Sequence, residues 1–301
     1  MDKVFCIYHG NCQDGFGAAW AVRHALGDDN VEFFEGHYNR PSPDVAGRNV
    51  VMVDFSYKRP VLEEMAKQAN SILILDHHKS AKEDLAGLFE APPFSEWQGG
   101  AWCPRGGEVG GATRICVASL FDMERSGTGI AWDYFHPNQF RPMLLNHIQD
   151  RDLWHFKLMG TREISAGLFS YPYDFEVWDN LIDEGSVAIE TLAYEGTGIE
   201  RKHNKDIAEL LAVTQRSMLI AGFTVPVASL PYTMASDAGN RMALGQPFAA
   251  TYYDTATHRV FSLRSLPGGA DVSKIAVSFG GGGHERASGF SVPRDHELAK
   301  G

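Results

Sequence analysis

The sequence predicts an α/β fold: a parallel-sheet domain over residues 1-185, a helical connector over 186-222 and a smaller α/β domain over 223-301. Three observations predict it. Apolar runs alternate with stretches of helical spacing through the first 80 residues. Charged, helix-favouring runs fill Ser186 to Ala221, broken only at Gly196, Thr197 and Gly198. A new alternation of strand-like and helical runs begins at Phe223.

In chain order, Val4 to Tyr8 reads as a first strand, and Gly15 to Leu26 as a helix that turns Ala18, Ala19, Val22 and Leu26 to one face. Val31 to Phe34 is a second strand. Val50 to Val53 is a third, apolar throughout, as a strand covered on both faces should be. Pro60 suits a helix start, with Val61 to Ala69 following, and Ser71 to Leu75 is a fourth strand. Such alternation implies parallel βαβ units with right-handed crossovers. Proline and glycine pairs mark residues 92-114 as a long irregular insertion, and the pattern from Thr113 to Leu158 is mainly helical. In the last part, 224-230, 248-253 and 260-266 read as strands, and 234-244 and 272-279 as helices.

With 44% hydrophobic and 11% aromatic residues, a sizeable core is expected and disorder is not. No apolar run approaches the roughly 20 residues that span a bilayer, and Met1 to Val4 lacks the basic start of a secretory signal. A cytoplasmic protein without membrane contact is expected. Cys6, Cys12, Cys103 and Cys116 form no CxxC pair, which argues against a disulfide framework and a zinc ribbon. The formal charge of -11 opposes long polyanions, so long duplex nucleic acid is excluded as a partner unless locally held cations overcome the field.

Three of the four early strands stop at ionisable residues. The first ends at His9, followed by Cys12 and Asp14; the third ends at Asp54; the fourth ends at Asp76, His77 and His78. Strand ends of a parallel sheet share one edge, where ligands bind at the topological switch point. Aspartate and histidine gathered there suit divalent ions such as manganese or magnesium. Ser126 precedes an apolar helical run, as a helix cap does, and such a helix start can also bind phosphate.

These residues resemble the DHH phosphoesterase superfamily, which includes RecJ-type exonucleases, nanoRNases, cyclic-dinucleotide phosphodiesterases and family II pyrophosphatases. The stretch Ile148 to Trp154 fits the superfamily's later acidic motif. The resemblance implies two divalent metal ions, manganese foremost. One would be held by His9, the residue at position 12 and Asp54. The other would be held by Asp14, Asp54, His77 and Asp150, with Asp54 bridging. His78 would face the substrate phosphate, and Asp76 would orient His77 or its neighbours. For Asp152 a capping or ion-pair role weighs as much as a site role. Cys12 departs from the pattern, since many members carry aspartate there. A thiolate ligand would favour Zn, Fe or Co over Mn or Mg and would be open to oxidation.

Near the C-terminus, Arg264, the glycines 280-283 and His284 offer a guanidinium fork, backbone N–H groups and an imidazole to an anion. In this order they resemble the DHHA1 domain that accompanies the DHH domain in nuclease and nanoRNase branches. That implies substrate binding by Arg264, Gly282, Gly283 and His284. The expected activity is hydrolysis of short oligonucleotides or linear dinucleotides to nucleoside monophosphates. A pAp phosphatase and a cyclic-dinucleotide phosphodiesterase are the alternatives, followed by a non-catalytic nucleotide-binding protein. A homodimer is left open.

Overall fold

A computed structural model describes residues 3–38, 40–97 and 117–300. The chain divides into two compact units, Met1–Ile199 and Glu200–Gly301.

The first unit opens with β1 (Val4–His9), α1 (Gln13–Leu26), β2 (Val31–Gly36), β3 (Asn49–Val53), α2 (Arg59–Ala66) and β4 (Ser71–Asp76). It continues with α3 (Lys79–Asp84), β5 (Phe89–Glu90), α4 (Phe94–Trp97), β6 (Val117–Phe121), α5 (Gly127–Phe135), α6 (Met143–Asp152), α7 (Thr161–Leu168) and α8 (Phe175–Asp183). Its six strands run in the order β2-β1-β3-β4-β6-β5, and every pair is parallel. The strands alternate in the residues they offer to the two faces. Cys6, Tyr8, Val51, Val53, Leu73 and Leu75 join one core with α1, α5 and α6. Phe5, Ile7, Val50, Met52, Ile72 and Ile74 join a second core with Leu62 and Met65 of α2. Both faces are therefore covered, which is why these strands read as unbroken apolar runs.

One expectation changes in this unit's sheet. Val117–Phe121 is a strand parallel to β4, where the sequence pattern suggested helix; its first two residues are buried in the sheet. Of the expected insertion, only the part up to Trp97 lies among the described residues; Cys103 and Cys116 lie outside them.

The unit boundary falls inside α9 (Ser186–Thr214), which runs unbroken through Gly196, Thr197 and Gly198. The glycine at 196 serves packing. A Cβ there would stand 1.7 Å from the Glu163 carbonyl oxygen, and one on Gly167 would stand 2.4 Å from that of Leu192. The two glycines let the backbones of α7 and α9 meet.

The second unit contains β7 (Arg216–Ile220), β8 (Phe223–Ser229), α10 (Ala235–Met242), β9 (Ala249–Asp254), β10 (His258–Arg264), α11 (Val272–Ser278), β11 (Gly282–Gly283), β12 (Ala287–Pro293) and α12 (Glu297–Lys300). Its sheet has the order β11-β12-β10-β9-β8-β7 and is mixed, with only β8 and β9 parallel. The second sheet thus begins at Arg216, inside the span expected to be helical connector. Among the described residues no helix is long and apolar enough to cross a membrane.

Candidate metal centre

The first sheet reverses its winding between β1 and β3, because β2 lies on one side of β1 and all later strands on the other. Ligand sites in such sheets form at the carboxyl ends of the strands flanking that reversal. His9 ends β1, Asp54 follows β3, and Asp76 ends β4, so three site residues arrive there by topology alone.

Local backbone geometry aims them. Asp54 has left-handed backbone, φ 53°, and its N–H donates to the Leu75 carbonyl at 2.9 Å. Aspartate tolerates this region better than most residues. Gly15 allows α1 to start directly against β1, since a Cβ there would lie 2.2 Å from the His9 carbonyl oxygen. Gly127 does the same for α5, where a Cβ would lie 2.3 Å from Asp54 Cβ.

Asp54 divides its two oxygens. Oδ2 faces His9 Nδ1 at 3.4 Å and Oδ1 faces His77 Nε2 at 3.0 Å. His77 Nε2 also lies 3.6 Å from Asp14 Oδ2 and 3.6 Å from Asp152 Oδ2. Two donor groups result, His9 with Cys12 and Asp54, and Asp14 with His77 and Asp152, each with ligand atoms within 4.8 Å of one another. Cys12 occupies the N-cap of α1 without capping it, so its sulfur belongs to the first group and not to the helix.

Asp14 is 2% exposed, Asp54 1% and His77 1%. Burial, then the charges of Asp54 and Asp152, push the Asp14 carboxyl well above the usual carboxylate range. Burial opposes charge on Asp54 as well, but hydrogen bonds from His77 and His9 hold its carboxyl well below that range. Burial disfavours the charged His77 ring, yet Asp152, Asp54 and Asp14 outweigh it and hold its pKa up to about 10. Buried carboxylates crowded against shared imidazoles are the donor set that divalent cations satisfy. On this chemistry the residues fit two such ions.

Asp14 has a second task. Its Oδ2 accepts from the Gly127 N–H at 2.6 Å and its Oδ1 from the Thr128 N–H at 3.0 Å. Ser126 caps α5 by accepting from the Gly129 N–H at 3.2 Å. The first N–H groups of α5 are therefore spent on the chain's own side chains, which removes the phosphate-binding alternative for this helix start.

Asp76 is fully buried, its carboxylate lies within 4.8 Å of ligand atoms of Asp54 and His78, and both of its oxygens are engaged by the chain itself. Its Oδ1 accepts from the backbone N–H groups of His77 at 2.7 Å and His78 at 3.2 Å, and pairs with His78 Nδ1 at 2.7 Å. Its Oδ2 accepts from Ser56 Oγ at 2.9 Å. It fixes the His78 ring, whose other nitrogen is thereby directed away from Asp76.

Asp150, expected as a ligand, is placed elsewhere. Its carboxylate accepts from the N–H groups of Lys157 at 2.9 Å and Leu158 at 3.0 Å and from the Thr161 hydroxyl at 2.7 Å. Asp152 reaches the cluster instead. Residues two apart on a helix point about 200° apart, so only one of the pair can face the sheet edge.

In the second unit, register gathers the expected substrate residues at one end of the sheet. Arg264 pairs with Ala287, and Gly283 with Ser288. Gly282 and Gly283 are a short strand, not an open loop, and Gly283 has φ 135°. His284 closes the turn, donating its N–H to the Ala287 carbonyl at 2.8 Å. Arg264 donates to Ser236 Oγ at 2.9 Å.

No established family model matches the chain. An uncharacterized protein of Acanthamoeba polyphaga mimivirus is 29% identical over 311 aligned positions, covering 95% of this chain and 66% of the relative. The chain thus spans 66% of that relative's length. Among solved structures, the DHH domain of a member of a family of ribosomal proteins aligns with 13% identity and TM-score 0.59, covering 99% of this chain and 85% of that one. Exonuclease RecJ bound to manganese aligns with 14% identity and TM-score 0.48, covering 97% and 86%. From the first of these solved structures, together with the parallel sheet and the strand ends just described, the chain has the fold of a DHH-domain protein.

Proposed function

We propose that the chain is a phosphoesterase of the DHH superfamily, a metal-dependent hydrolase that cleaves short oligonucleotides or linear dinucleotides to nucleoside monophosphates. The observation that carries this is Asp54, one buried carboxylate shared between a His9 group and a His77 group. A carboxylate so placed suits a pair of ions better than one.

His9, Cys12 and Asp54 would hold one ion, and Asp14, Asp54, His77 and Asp152 the other. Divalent ions held there would supply an activated water and offset charge on the phosphate. Hydrolysis would join the water oxygen to phosphorus and break the bond to the leaving ester oxygen, which would take up the proton the water gives up. His78, fixed by Asp76, would donate to a phosphate oxygen. Arg264, Gly282, Gly283 and His284 would bind the substrate's nucleotide through the second unit. The formal charge of -11 favours short substrates over long ones.

The test is turnover of an oligonucleotide length series beside pAp and cyclic dinucleotides, with Mn, Mg, Co, Zn or Fe supplied in turn. Hydrolysis of the shortest linear members, abolished by Asp54→Asn, is expected. Faster turnover of pAp or a cyclic dinucleotide shifts the substrate accordingly. No turnover with any metal overturns the enzymatic reading.

A further inference from the structure

The end of β2 brings a further side chain to the metal centre. β2 runs parallel to β1 with Gly36 opposite His9, and the Gly10 N–H donates to the Gly36 carbonyl at 2.9 Å. His37 and Tyr38 therefore leave the sheet beside His9. Gly36 also leaves room for the residue that follows Asp54, because a Cβ there would stand 2.8 Å from the Phe55 ring.

Tyr38 is seated among the rings of the centre. Its ring centre lies 5.4 Å from that of His9 and 6.0 Å from that of His78, edge to face in both cases, at 67° and 74°. His9 and His78 are themselves 6.0 Å apart at 77°. The three rings thus meet pairwise, and Phe55 supports Tyr38 from 4.9 Å. Edge-to-face packing of this kind is favourable and fixes the orientation of the ring.

Exposure rises outward through the centre. Asp54 is 1% exposed, His78 9% and Tyr38 45%. Tyr38 thus stands where the centre opens to solvent and a substrate enters. Burial, then the charges of Asp76, Asp54 and Cys12, push its hydroxyl well above the usual tyrosine range. The hydroxyl end is therefore turned toward the centre, and the exposed part of the residue lies elsewhere.

Donor chemistry selects what the hydroxyl would meet. Ionised carboxylates only accept hydrogen bonds, whereas phosphate oxygens require donors. Of the three rings, His9 is engaged as a ligand in the proposed centre, which leaves His78 and Tyr38 to donate. A phenol keeps its proton at neutral pH and adds no charge of its own.

We propose that Tyr38 is a catalytic residue of this centre, its hydroxyl donating to a non-bridging oxygen of the phosphate that is hydrolysed. This rests on the phosphoesterase reading for its substrate class. The first experiment is calorimetric binding of inorganic phosphate to the manganese-loaded protein, unaltered and with Tyr38→Phe, which keeps the ring and removes the hydroxyl. Affinity is expected to fall about tenfold in the variant, the scale of one charge-assisted contact, with the number of bound ions unchanged. Equal affinities, no phosphate binding by the unaltered protein, or fewer ions in the variant overturn the assignment.

The second experiment measures kcat/KM on a linear dinucleotide and on its two phosphorothioate diastereomers, in which sulfur, a weak acceptor, replaces one non-bridging oxygen. Tyr38→Phe is expected to cost about tenfold on the oxygen substrate and on one diastereomer, and little on the other. An equal loss on all three substrates marks a merely structural role and overturns the contact. Failure of the phosphoesterase reading looks different: the difference in phosphate binding persists while no substrate turns over with any metal.

Discussion

The two halves of the candidate centre share Asp54 and differ in how their other ligands are held. In one half, His9 and Cys12 stand at the end of β1 and the start of α1, and the half-buried Cys12 brings a sulfur with no role in its helix. In the other half, Asp14 is locked by two backbone N–H groups of α5, and His77 is enclosed by three carboxylates. The difference teaches that, if both halves hold ions as proposed, they would select metal by different means. The His9 half would select by ligand softness, because sulfur ranks metals differently from oxygen. The His77 half would select by rigidity, because Asp14 is fixed by backbone N–H groups before an ion arrives.

The largest expected effect removes what the halves have in common. Asp54→Asn should lower turnover of the preferred substrate by more than about a hundredfold, beyond the range typical of outer-shell residues. A steady-state assay at saturating metal checks this. Next comes the pair that separates a ligand from a builder. Asp152→Asn should weaken metal binding by at least about tenfold, measured by calorimetric titration. Asp150→Asn should lower stability by about 1–3 kcal/mol through lost acceptors in the 153–161 loop, measured by urea unfolding, with the number of bound ions unchanged. Identical behaviour of the two variants breaks the distinction.

Cys12→Asp should act on one half alone. The order of activation by Zn, Co and Fe against Mn and Mg is expected to move toward Mn and Mg, and inactivation by peroxide to slow. An unchanged metal order and unchanged peroxide sensitivity would remove Cys12 from the ligands.

The smallest effect lies outside both halves and serves as a control. In the second unit, Asp254 takes a two-point contact from Arg259, at 2.8 and 3.0 Å, with Arg294 also paired to it. The Arg259 hydrogen bond above all holds the Asp254 carboxyl below the usual carboxylate range. Its contribution to stability is therefore full above the unfolded value of about 3.9 and is lost as pH falls through the lowered folded value. The stability gap between the unaltered protein and Asp254→Asn should be constant from pH 7 to 5 and close below about pH 4. Metal should leave this gap unchanged.

Much of the parallel sheet was legible because strands covered on both faces are apolar throughout, and their ends announced themselves by His9, Asp54 and Asp76. The strand Val117–Phe121 was not, since a short apolar run beside helical sequence carries no period that separates the two. The strand Arg216–Ile220 was not either: its residues alternate in burial in the structure, but Met218, Leu219 and Ile220 are apolar in succession, so no period of two shows in the sequence. Gly196 read as a helix break because its role, the approach of a second backbone, exists only in three dimensions. The same holds for Asp150 and Asp152. Linear order places both in one motif, and only helical phase decides which reaches His77 and which builds the loop.

The most direct test of the shared carboxylate is a count of bound ions. Manganese titration followed by native mass spectrometry should find two ions per chain in the unaltered protein and neither held tightly in Asp54→Asn. One ion in the unaltered protein, or two retained after the substitution, contradicts a centre whose halves meet at Asp54.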